Sequence, residues 1–441
     1  MSSSIPTSKM ARGKVIGKAM VKIGITSSKG VIKRAFLSKS KQQESKSNTD
    51  SQIAKVIIDS IGQLKGISVK IVQHIALGMP FLPKEYLDEI SKSFSKIPPI
   101  NRALVRKIIY QEFGKYPQDV FDKFDDISFG SASLGQVHLG EHNGEKIAIK
   151  IQYAGIANSI ESDLSILNFG IKRFAGGKNI EHIMDEIKER LYEEVDYQHE
   201  AQNSKFFKNN FNHQNIVIPK VIDELSTDKV LTTSFIEGDS FEEFLARKPL
   251  QQEIDNFAQY ILDSFFISLY SFQTLHADPN PGNFIFGRDG KLGIIDFGCV
   301  KRFDNEFLNS FNQLHYSLMM GEDDKILVEQ YASLDMIDRT SDEEMLEFYL
   351  KVIKPLDRIY IEVFEGDSYD FKESKDFSKR GFETIMKVQQ TQIDAVHKIN
   401  AEYIFLDRTL LGYYAMFEQM GAKIDTRFVK KLVTKEVLRW D

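Results

Sequence analysis

The segment 276-HADPNPGNFIFGRDGKLGIIDFG-298 carries Asp278, Asn283 and Asp296 on either side of a predicted turn. Asp278 and Asn283 lie five residues apart on a proline-punctuated stretch that does not read as a helix. Asp289-Gly290 is a dipeptide typical of hairpin turns, so we predict a hairpin that ends just before Asp296. Because carboxylate and amide oxygens are the ligands that Mg²⁺ prefers, this segment is a candidate metal site.

A second segment, 128-SFGSASLGQVHLG-140, has glycines at the spacing of a phosphate-covering loop. Gly130-x-Ala132-x-x-Gly135-x-Val137 matches the kinase pattern G-x-G-x-x-G-x-V, with alanine in place of the middle glycine. Backbone N–H groups close over phosphates where no Cβ intrudes. We therefore expect Ala132 to weaken nucleotide binding or to change its selectivity.

The segment 147-IAIK-150 predicts a short strand that ends in Lys150, which can reach the α- and β-phosphates under such a loop. We expect a hinge at Ser234 to Ile236 after a later strand, with Thr233 as gatekeeper. The expected nucleotide contacts are therefore loop, strand and hinge residues: Gly130, Ser131, Ala132, Ser133, Gly135, Val137, Lys150, Ser234 and Ile236.

The glycine loop, the strand lysine, D-x-x-x-x-N and Asp-Phe-Gly occur in the order found in protein kinases. In that arrangement Asp278 orients an acceptor hydroxyl or water, and Asn283 and Asp296 bind the metal, Mg²⁺ or Mn²⁺. Each element alone has a structural alternative: a solvated lysine, a core histidine at His276, or an ordinary turn. Their joint occurrence favours a nucleotide site. Cys299 is interpreted as a packing residue.

Composition indicates a soluble chain with an unusual distribution of charge. Residues 1–49 hold eleven lysines and arginines and one acid, whereas the whole chain has a net charge of −6. The single cysteine excludes an intrachain disulfide framework, and no apolar run reaches the roughly 18–20 residues that span a bilayer. The apolar stretch 261–277 contains Asp263 and several serines, so it predicts a buried helix.

Hydrophobic periodicity predicts a small strand-rich lobe followed by a mainly helical lobe. Together with the kinase-ordered motifs, this outline leads us to expect an α+β, bilobal protein-kinase-like fold with a strand-rich N-lobe, a helical C-lobe and an added N-terminal helical extension. We expect paired strands over 134–153 turning at Asn143-Gly144, helices over 158–174 and 180–209, and a strand pair around 216–236. Beyond residue 250 we expect helices apart from the hairpin. The expected domains are a basic arm and linker (1–50), a helical extension (51–125), the N-lobe (126–236) and the C-lobe (237–441).

The chain resembles the UbiB-type (AarF-like) atypical protein-kinase-like family, which is associated with ubiquinone biosynthesis. The resemblance is carried by the alanine-rich "SASLGQVH", by "HADPNPGN", and by an E-x-D motif at Glu194-Val195-Asp196. It implies that Glu200 pairs with Lys150. It also implies a K-x-G-Q motif at 70-KIVQ-73, where Val72 replaces the glycine. Lys70 and Gln73 would then gate the pocket together with Glu194 and Asp196.

Three functions stay open from the sequence. The first is a Mg²⁺-dependent ATPase or phosphotransferase acting on a small molecule or lipid, because no A-P-E follows Asp-Phe-Gly and residues 299–314 turn quickly into a predicted helix. The second is a nucleotide-binding pseudokinase scaffold. The third is a choline- or aminoglycoside-type phosphotransferase, which the Lys70 and Glu194 motifs disfavour.

Partners and location follow from the basic arm and from the resemblance. The spacing of Lys14, Lys18 and Lys22 fits a surface helix on anionic lipid, with a disordered tail or a transit peptide as alternatives. We expect ATP as a ligand, quinone-pathway intermediates or enzymes as partners, and no nucleic acid. The expected location is cytoplasmic and peripheral on the inner face of a membrane, or the mitochondrial matrix if the arm is a transit peptide.

Overall fold

The computed structural model describes residues 100–132, 134–157, 181–336, 342–374, 376–390 and 401–434, with isolated positions at 14, 17, 18, 21, 22, 25, 56, 160, 161 and 164. The chain divides into two compact units. The first unit comprises residues up to Gln202 together with Val221–Phe235, and the second comprises Asn203–Lys220 and Ile236 onward. The described positions of the basic arm are helical and exposed.

The described strands are short, and in chain order they are β1 (Lys123–Phe124), β2 (Gly130–Ala132), β3 (Gly135–His142), β4 (Glu145–Gln152), β5 (Ile216–Val217), β6 (Val230–Ser234), β7 (Thr274–His276), β8 (Phe284–Phe286), β9 (Leu292–Ile294), β10 (Val300–Arg302), β11 (Ser368–Asp370) and β12 (Lys423–Asp425).

The described α-helices are α1 (Arg102–Phe113), α2 (Pro117–Val120), α3 (Glu181–Glu194), α4 (Tyr197–Asn210), α5 (Phe241–Ala246), α6 (Gln251–Phe272), α7 (Asn305–Met320), α8 (Asp324–Ser333), α9 (Asp342–Phe348), α10 (Lys354–Glu362), α11 (Phe377–Gln390), α12 (Ala401–Met420) and α13 (Arg427–Thr434). Among them, none combines the length and apolar content that a bilayer crossing needs.

The first unit contains an antiparallel sheet in the order β1-β3-β4-β6, with β2 also paired to β3. The turn between β3 and β4 is the predicted one, because Asn143 and Gly144 both have positive φ, at 53° and 79°. Ile147, Ile149 and Ile151 of β4 are fully buried. They share a core with apolar residues of α1, so this helix covers one face of the sheet.

The predicted strand pair around 216–236 is wrong, because its two strands belong to different sheets. β6 pairs with β4, with Ala148 opposite Thr233, and its Val230 and Leu231 are buried. β5 instead pairs in parallel with β9, with Ile216 opposite Leu292. Both segments read as strands from their β-branched residues, but partner choice depends on edges formed by residues distant in the chain.

The predicted helix over 180–209 is also wrong in detail, because it is two helices that meet at Val195-Asp196. The Asp196 side chain accepts a hydrogen bond from the His199 N–H at 2.9 Å, which caps the start of α4. The Gln152 side chain of β4 donates to the Val195 carbonyl at 2.8 Å, and this contact ties the junction between the two helices to the sheet. Of the predicted helix over 158–174, only a few positions lie within the described residues.

The core of the second unit forms around α6, whose Phe257, Ala258, Ile261, Leu262 and Leu269 are almost fully buried. Two serines on this helix are also buried, and their hydroxyls donate to backbone carbonyls of the same helix: Ser264 to Ile261 and Ser268 to Ser264. The predicted buried helix over 261–277 is therefore present, but it ends at Phe272, where Gln273 adopts a left-handed conformation.

The region beyond residue 250 contains more strands than predicted. The predicted hairpin is present as β8 and β9, with Gly290 at φ 80° in the turn. In addition, β7 pairs with β10 and β11 pairs with β12, each over three residues. Strands of three residues carry too little alternation to be read from sequence.

Candidate nucleotide and metal site

Lys150 and Glu200 form a bidentate ion pair within the first unit. The Lys150 ammonium donates to both carboxylate oxygens of Glu200 at 2.8 Å. The two side chains are 16% and 4% exposed, so the pair is largely removed from water. The ammonium also lies 5.1 Å from the ring centre of Tyr197. A cation held in this way has a fixed position from which it can meet phosphate oxygens.

The position of Glu200 follows from the start of α4. Asp196 caps this helix through its side chain, and its carbonyl accepts the Glu200 N–H at 3.0 Å. Glu200 therefore lies in the first turn, where a carboxylate is favoured by the helix dipole. Of the predicted gating residues, Glu194 ends α3 and Asp196 immediately precedes α4 as its cap. Lys70 and Gln73 lie outside the described residues.

The glycine loop is built on the β2–β3 hairpin, with Gly130 opposite Val137 and Ala132 opposite Gly135. A Cβ at Gly130 would meet no atom within 4 Å, so packing does not demand glycine there. A Cβ at Gly135 would clash with the Ile151 carbonyl and come 2.7 Å from the Tyr197 hydroxyl. Gly135 is therefore required by close packing. Ser131 lies in β2, and Ser133 lies outside the described residues.

The predicted metal ligands Asn283 and Asp296 flank the open end of the β8–β9 hairpin. Phe284 pairs with Ile294, and the next residue along, Ile295, donates its N–H to the Asn283 carbonyl at 3.1 Å. This register places Asn283 beside the residue that precedes Asp296. The spacing of thirteen residues in the sequence is thus the length of one hairpin.

The donor atoms at this end of the hairpin fit a magnesium ion. Asn283 is buried, and its side-chain amide donates to the Asp278 carbonyl at 3.2 Å, so the amide oxygen is the atom that the prediction assigns to the metal. Among the described residues, no three His, Cys, Asp or Glu side chains form a metal-holding group by themselves. Mg²⁺ is commonly held by one or two protein oxygens together with substrate phosphates, which suits this sparse set.

Backbone contacts fix the Asp-Phe-Gly segment and the loop before it. The Nε2 atom of His276 bonds to the Asp296 carbonyl, so this nitrogen carries the hydrogen. The Gly298 N–H donates to the Asp296 carboxylate at 3.0 Å. Within the loop, the Asn280 side chain accepts the Gly282 N–H at 3.0 Å. His276 therefore has a structural contact to the segment.

Helix α12 supports the loop that carries Asp278, which the sequence did not reveal. A Cβ at Gly412 would lie 2.6 Å from the Cβ of Pro279, so only glycine allows the helix to approach so closely. The Tyr413 hydroxyl donates to the His276 carbonyl at 3.4 Å. Burial, and secondarily the negative charge of Asp278, raise the pKa of Tyr413, so its hydroxyl keeps the proton it donates.

The predicted hinge coincides with the end of the first unit. Thr233 and Ser234 are in β6, and the Phe235 N–H donates to the Lys146 carbonyl at 3.0 Å. Ile236 is the first residue of the chain that returns to the second unit, where it packs against Gly293. The structure thus places Lys150 with Glu200 in one unit, and Asp278, Asn283 and Asp296 together in the other.

These features define a protein-kinase-like domain, and comparison with known proteins agrees. The chain resembles the solved structure of Rv3197 from Mycobacterium tuberculosis in complex with erythromycin, with a TM-score of 0.62, 23% identity and coverage of 90% of this chain and 98% of that one. The predicted α+β kinase-like fold is therefore confirmed.

A model of the ABC1 atypical kinase-like domain matches residues 92–330, which is more than half of the chain. The chain belongs to this family, and the resemblance to the UbiB family is confirmed.

Named relatives occur in several eukaryotes. "Atypical kinase COQ8, mitochondrial" of Saccharomyces cerevisiae is 27% identical over 84% of this chain and 75% of that protein. "Probable serine/threonine-protein kinase abkA" of Dictyostelium discoideum is 26% identical over 85% of this chain and 69% of the relative. "Protein ACTIVITY OF BC1 COMPLEX KINASE 8, chloroplastic" of Arabidopsis thaliana is 29% identical over 62% of this chain, but the match spans only 38% of that protein.

Proposed function

We propose that the protein binds ATP with Mg²⁺ or Mn²⁺ and transfers or hydrolyses its terminal phosphoryl group. The observation that carries this proposal is the buried, bidentate Lys150–Glu200 pair. Burying two charges costs free energy unless their geometry is good, so a buried ion pair is weak evidence for stability alone. A fixed cation beside a glycine loop instead suits recognition of phosphates.

In this proposal each side chain has one role. Lys150 binds the α- and β-phosphates and Glu200 holds its ammonium in place. Asn283 and Asp296 hold the metal, which neutralises charge on the phosphates when bound. Asp278 orients the hydroxyl or water that attacks the phosphorus and accepts its proton. Lys70 and Gln73, with Glu194 and Asp196, gate access to the nucleotide.

We infer that proteins are not phosphorylated in trans. Helix α7 begins at Asn305, seven residues after Gly298, and Asp304 caps it. Those intervening residues include β10, so they form a strand and a helix cap rather than a long loop. A peptide-docking segment needs more chain than this. The acceptor is then water, a small molecule or a lipid.

The pathway we propose is isoprenoid-quinone biosynthesis or lipid metabolism at a membrane surface, inside an organelle. Relatives are named mitochondrial or chloroplastic, and one is named COQ8. A basic arm attached to an acidic remainder suits binding to an anionic membrane. Quinone-pathway intermediates or enzymes would be the partners. The alternative function is a nucleotide-binding pseudokinase scaffold, in which binding without turnover transmits a conformational signal.

The test is ATP turnover by the purified protein, with and without anionic liposomes and quinone-like phenols. We expect Mg²⁺-dependent turnover that falls by at least about 100-fold in Asp278→Asn, because this change removes the proton acceptor. ATP binding should persist in that variant. Turnover that survives the substitution would contradict the assigned site. Binding without any turnover in the unsubstituted protein would favour the scaffold.

A further inference from the structure

Asn203 is a completely buried asparagine whose side chain contacts the Asp-Phe-Gly segment within the second unit. It is 0% exposed. Its Nδ2 donates to the Phe297 carbonyl at 3.2 Å, across 94 residues of chain. Its Oδ1 accepts a hydrogen bond from the Arg302 guanidinium at 3.3 Å. Neither the motifs nor the proposed mechanism assigns this residue a role.

The carbonyl that Asn203 holds belongs to the same peptide plane as the Gly298 N–H. That N–H donates to the Asp296 carboxylate at 3.0 Å. Because a peptide unit is planar and its C=O and N–H point in opposite directions, fixing one end fixes the other. Asn203 therefore determines the direction of the donor that orients the predicted metal ligand.

Without this contact the peptide has freedom to rotate. Gly298 follows the plane, and glycine accepts both signs of φ, so a flip of the Phe297–Gly298 peptide meets little steric resistance at that residue. A flip would turn the N–H away from the Asp296 carboxylate. The ring of Phe297 is held separately by Phe207, with ring centres 5.0 Å apart, so the side chain can stay packed while the peptide turns.

The chemistry of the site requires an amide at position 203. The Phe297 carbonyl needs a donor and the Arg302 guanidinium needs an acceptor, and an asparagine side chain supplies both. An aspartate would keep the acceptor but lose the donor. A leucine of similar size would leave the Phe297 carbonyl without its donor in a buried place, which is costly, whereas Arg302 is exposed and can turn to water.

We propose that Asn203 is a positioning residue for Asp296: it locks the Phe297–Gly298 peptide so that the Gly298 N–H holds the carboxylate in its metal-binding orientation. This inference rests on the proposed function, since it assumes that Asp296 binds the metal of the nucleotide complex. It adds a residue outside the sequence motifs to the machinery of that site.

The test measures two quantities in the full chain: the Mg²⁺ concentration at half-maximal ATP turnover, and the Mg²⁺ concentration at half-maximal ATP binding in a titration without turnover. Asn203→Asp removes the donor and adds a negative charge beside Arg302, and we expect the lost donor to raise both concentrations about tenfold, the effect of one lost buried hydrogen bond. Asn203→Ser shortens the side chain, should show the same shift, and provides the measurement if the first variant does not fold. The matched control is Asn312→Asp, a buried asparagine on α7 that is 5% exposed.

The outcomes separate the inference from the proposed function. A shift in Mg²⁺ dependence in the Asn203 variants, with none in Asn312→Asp at a similar melting temperature, supports the positioning role. Unchanged Mg²⁺ dependence in folded Asn203 variants overturns it, provided that Asp296→Asn abolishes metal-dependent turnover. If Asp296→Asn leaves turnover and its Mg²⁺ dependence intact, the proposed function itself fails.

Discussion

Burying the Lys150–Glu200 pair costs free energy, and the same pair is proposed to bind the nucleotide phosphates. Glu200 is 3% exposed, and within the first unit its carboxylate meets the Lys150 ammonium at two oxygens. Breaking such a pair leaves an uncompensated buried charge, whereas replacing both members with apolar side chains is often tolerated. Stability and nucleotide binding should therefore respond differently to single and double substitutions.

We predict that Lys150→Met lowers the free energy of unfolding by about 3–5 kcal/mol, because it removes the ammonium that meets both oxygens of the buried Glu200 carboxylate. The double variant Lys150→Met with Glu200→Leu should regain most of that loss, yet ATP binding should be lost in both. Urea unfolding and nucleotide titration measure these quantities.

An exposed ion pair provides the control for this experiment. The side chains of Lys123 and Glu141 are 71% and 39% exposed, so Lys123→Met should lower the free energy of unfolding by only about 0–1 kcal/mol. Equal losses at the two positions would show that the burial of Lys150–Glu200 has no energetic consequence.

Single residues also show what sequence reasoning could reach at the site. Lys150, Asn283 and Asp296 were predicted from residue type and from spacing along short segments, and the expected contact of Lys150 with Glu200 is present in the structure. Gly135 was predicted to contact the nucleotide, and the structure adds a packing requirement, because its neighbours Ile151 and Tyr197 leave no room for a Cβ. Asn203 was missed because its partner is 94 residues away, and no local pattern marks such a contact.

At the level of packed helices, the second unit encloses a carboxylate for which the described residues supply hydroxyl partners rather than a cation. Asp357 of α10 is 3% exposed, and its hydrogen-bond partners include the hydroxyl of Tyr331 from α8. Burial raises the pKa of Asp357 to about 7, although hydrogen bonds from Tyr331 and Tyr403 act in the opposite direction. Burial, and secondarily the charge of Asp357, raise the pKa of Asp407 on α12 well above its ordinary value. These helices therefore pack around acids that favour the neutral form.

The sign of the pH dependence follows from this raised pKa. The folded protein holds a proton on Asp357 that the unfolded chain releases near pH 4, so stability falls as pH rises from about 4 to about 7 and then levels off. We predict that Asp357→Asn, which cannot ionise, removes the part of the decline that Asp357 contributes, while Asp407, whose pKa is also raised, keeps its own part. The difference in the free energy of unfolding between the unsubstituted protein and Asp357→Asn should change by at most about 4 kcal/mol across that range, at 1.36 kcal/mol per unit of pKa.

Urea unfolding at intervals from pH 5 to pH 8 measures the effect, with the exposed Asp228→Asn as a control that should parallel the unsubstituted protein. Parallel curves for Asp357→Asn and the unsubstituted protein would contradict the prediction.

Elements were predictable where they are long or locally specified. Asn143-Gly144 predicts the β3–β4 hairpin, and a long apolar stretch predicts α6. The break between α3 and α4 escaped prediction because Val195-Asp196 lacks glycine and proline, and the contact that fixes it comes from Gln152 on a strand. The pairing of β5 with β9 likewise depends on residues far apart in the chain.

At the scale of the whole molecule, net positive charge is concentrated in the first 49 residues, which hold eleven basic side chains and one acid. We predict that removing these residues lowers recovery of the protein with anionic liposomes in flotation at low salt. High salt should lower recovery of the full chain towards that of the shortened one, because exposed charges are screened beyond about 10 Å at 0.1 M salt. Liposomes of neutral lipid are the control, and equal recovery of both proteins at low salt would exclude the arm as a membrane contact.

The chain passes from one unit to the other at three places, after Gln202, Lys220 and Phe235. No single cleavage can therefore release either unit as one continuous polypeptide. A fragment beginning at Ile236 would lack both Asn203 and β5, the edge strand beside Leu292. To reassemble the second unit in isolation, residues 203–220 would be supplied as a separate peptide to the fragment that begins at Ile236.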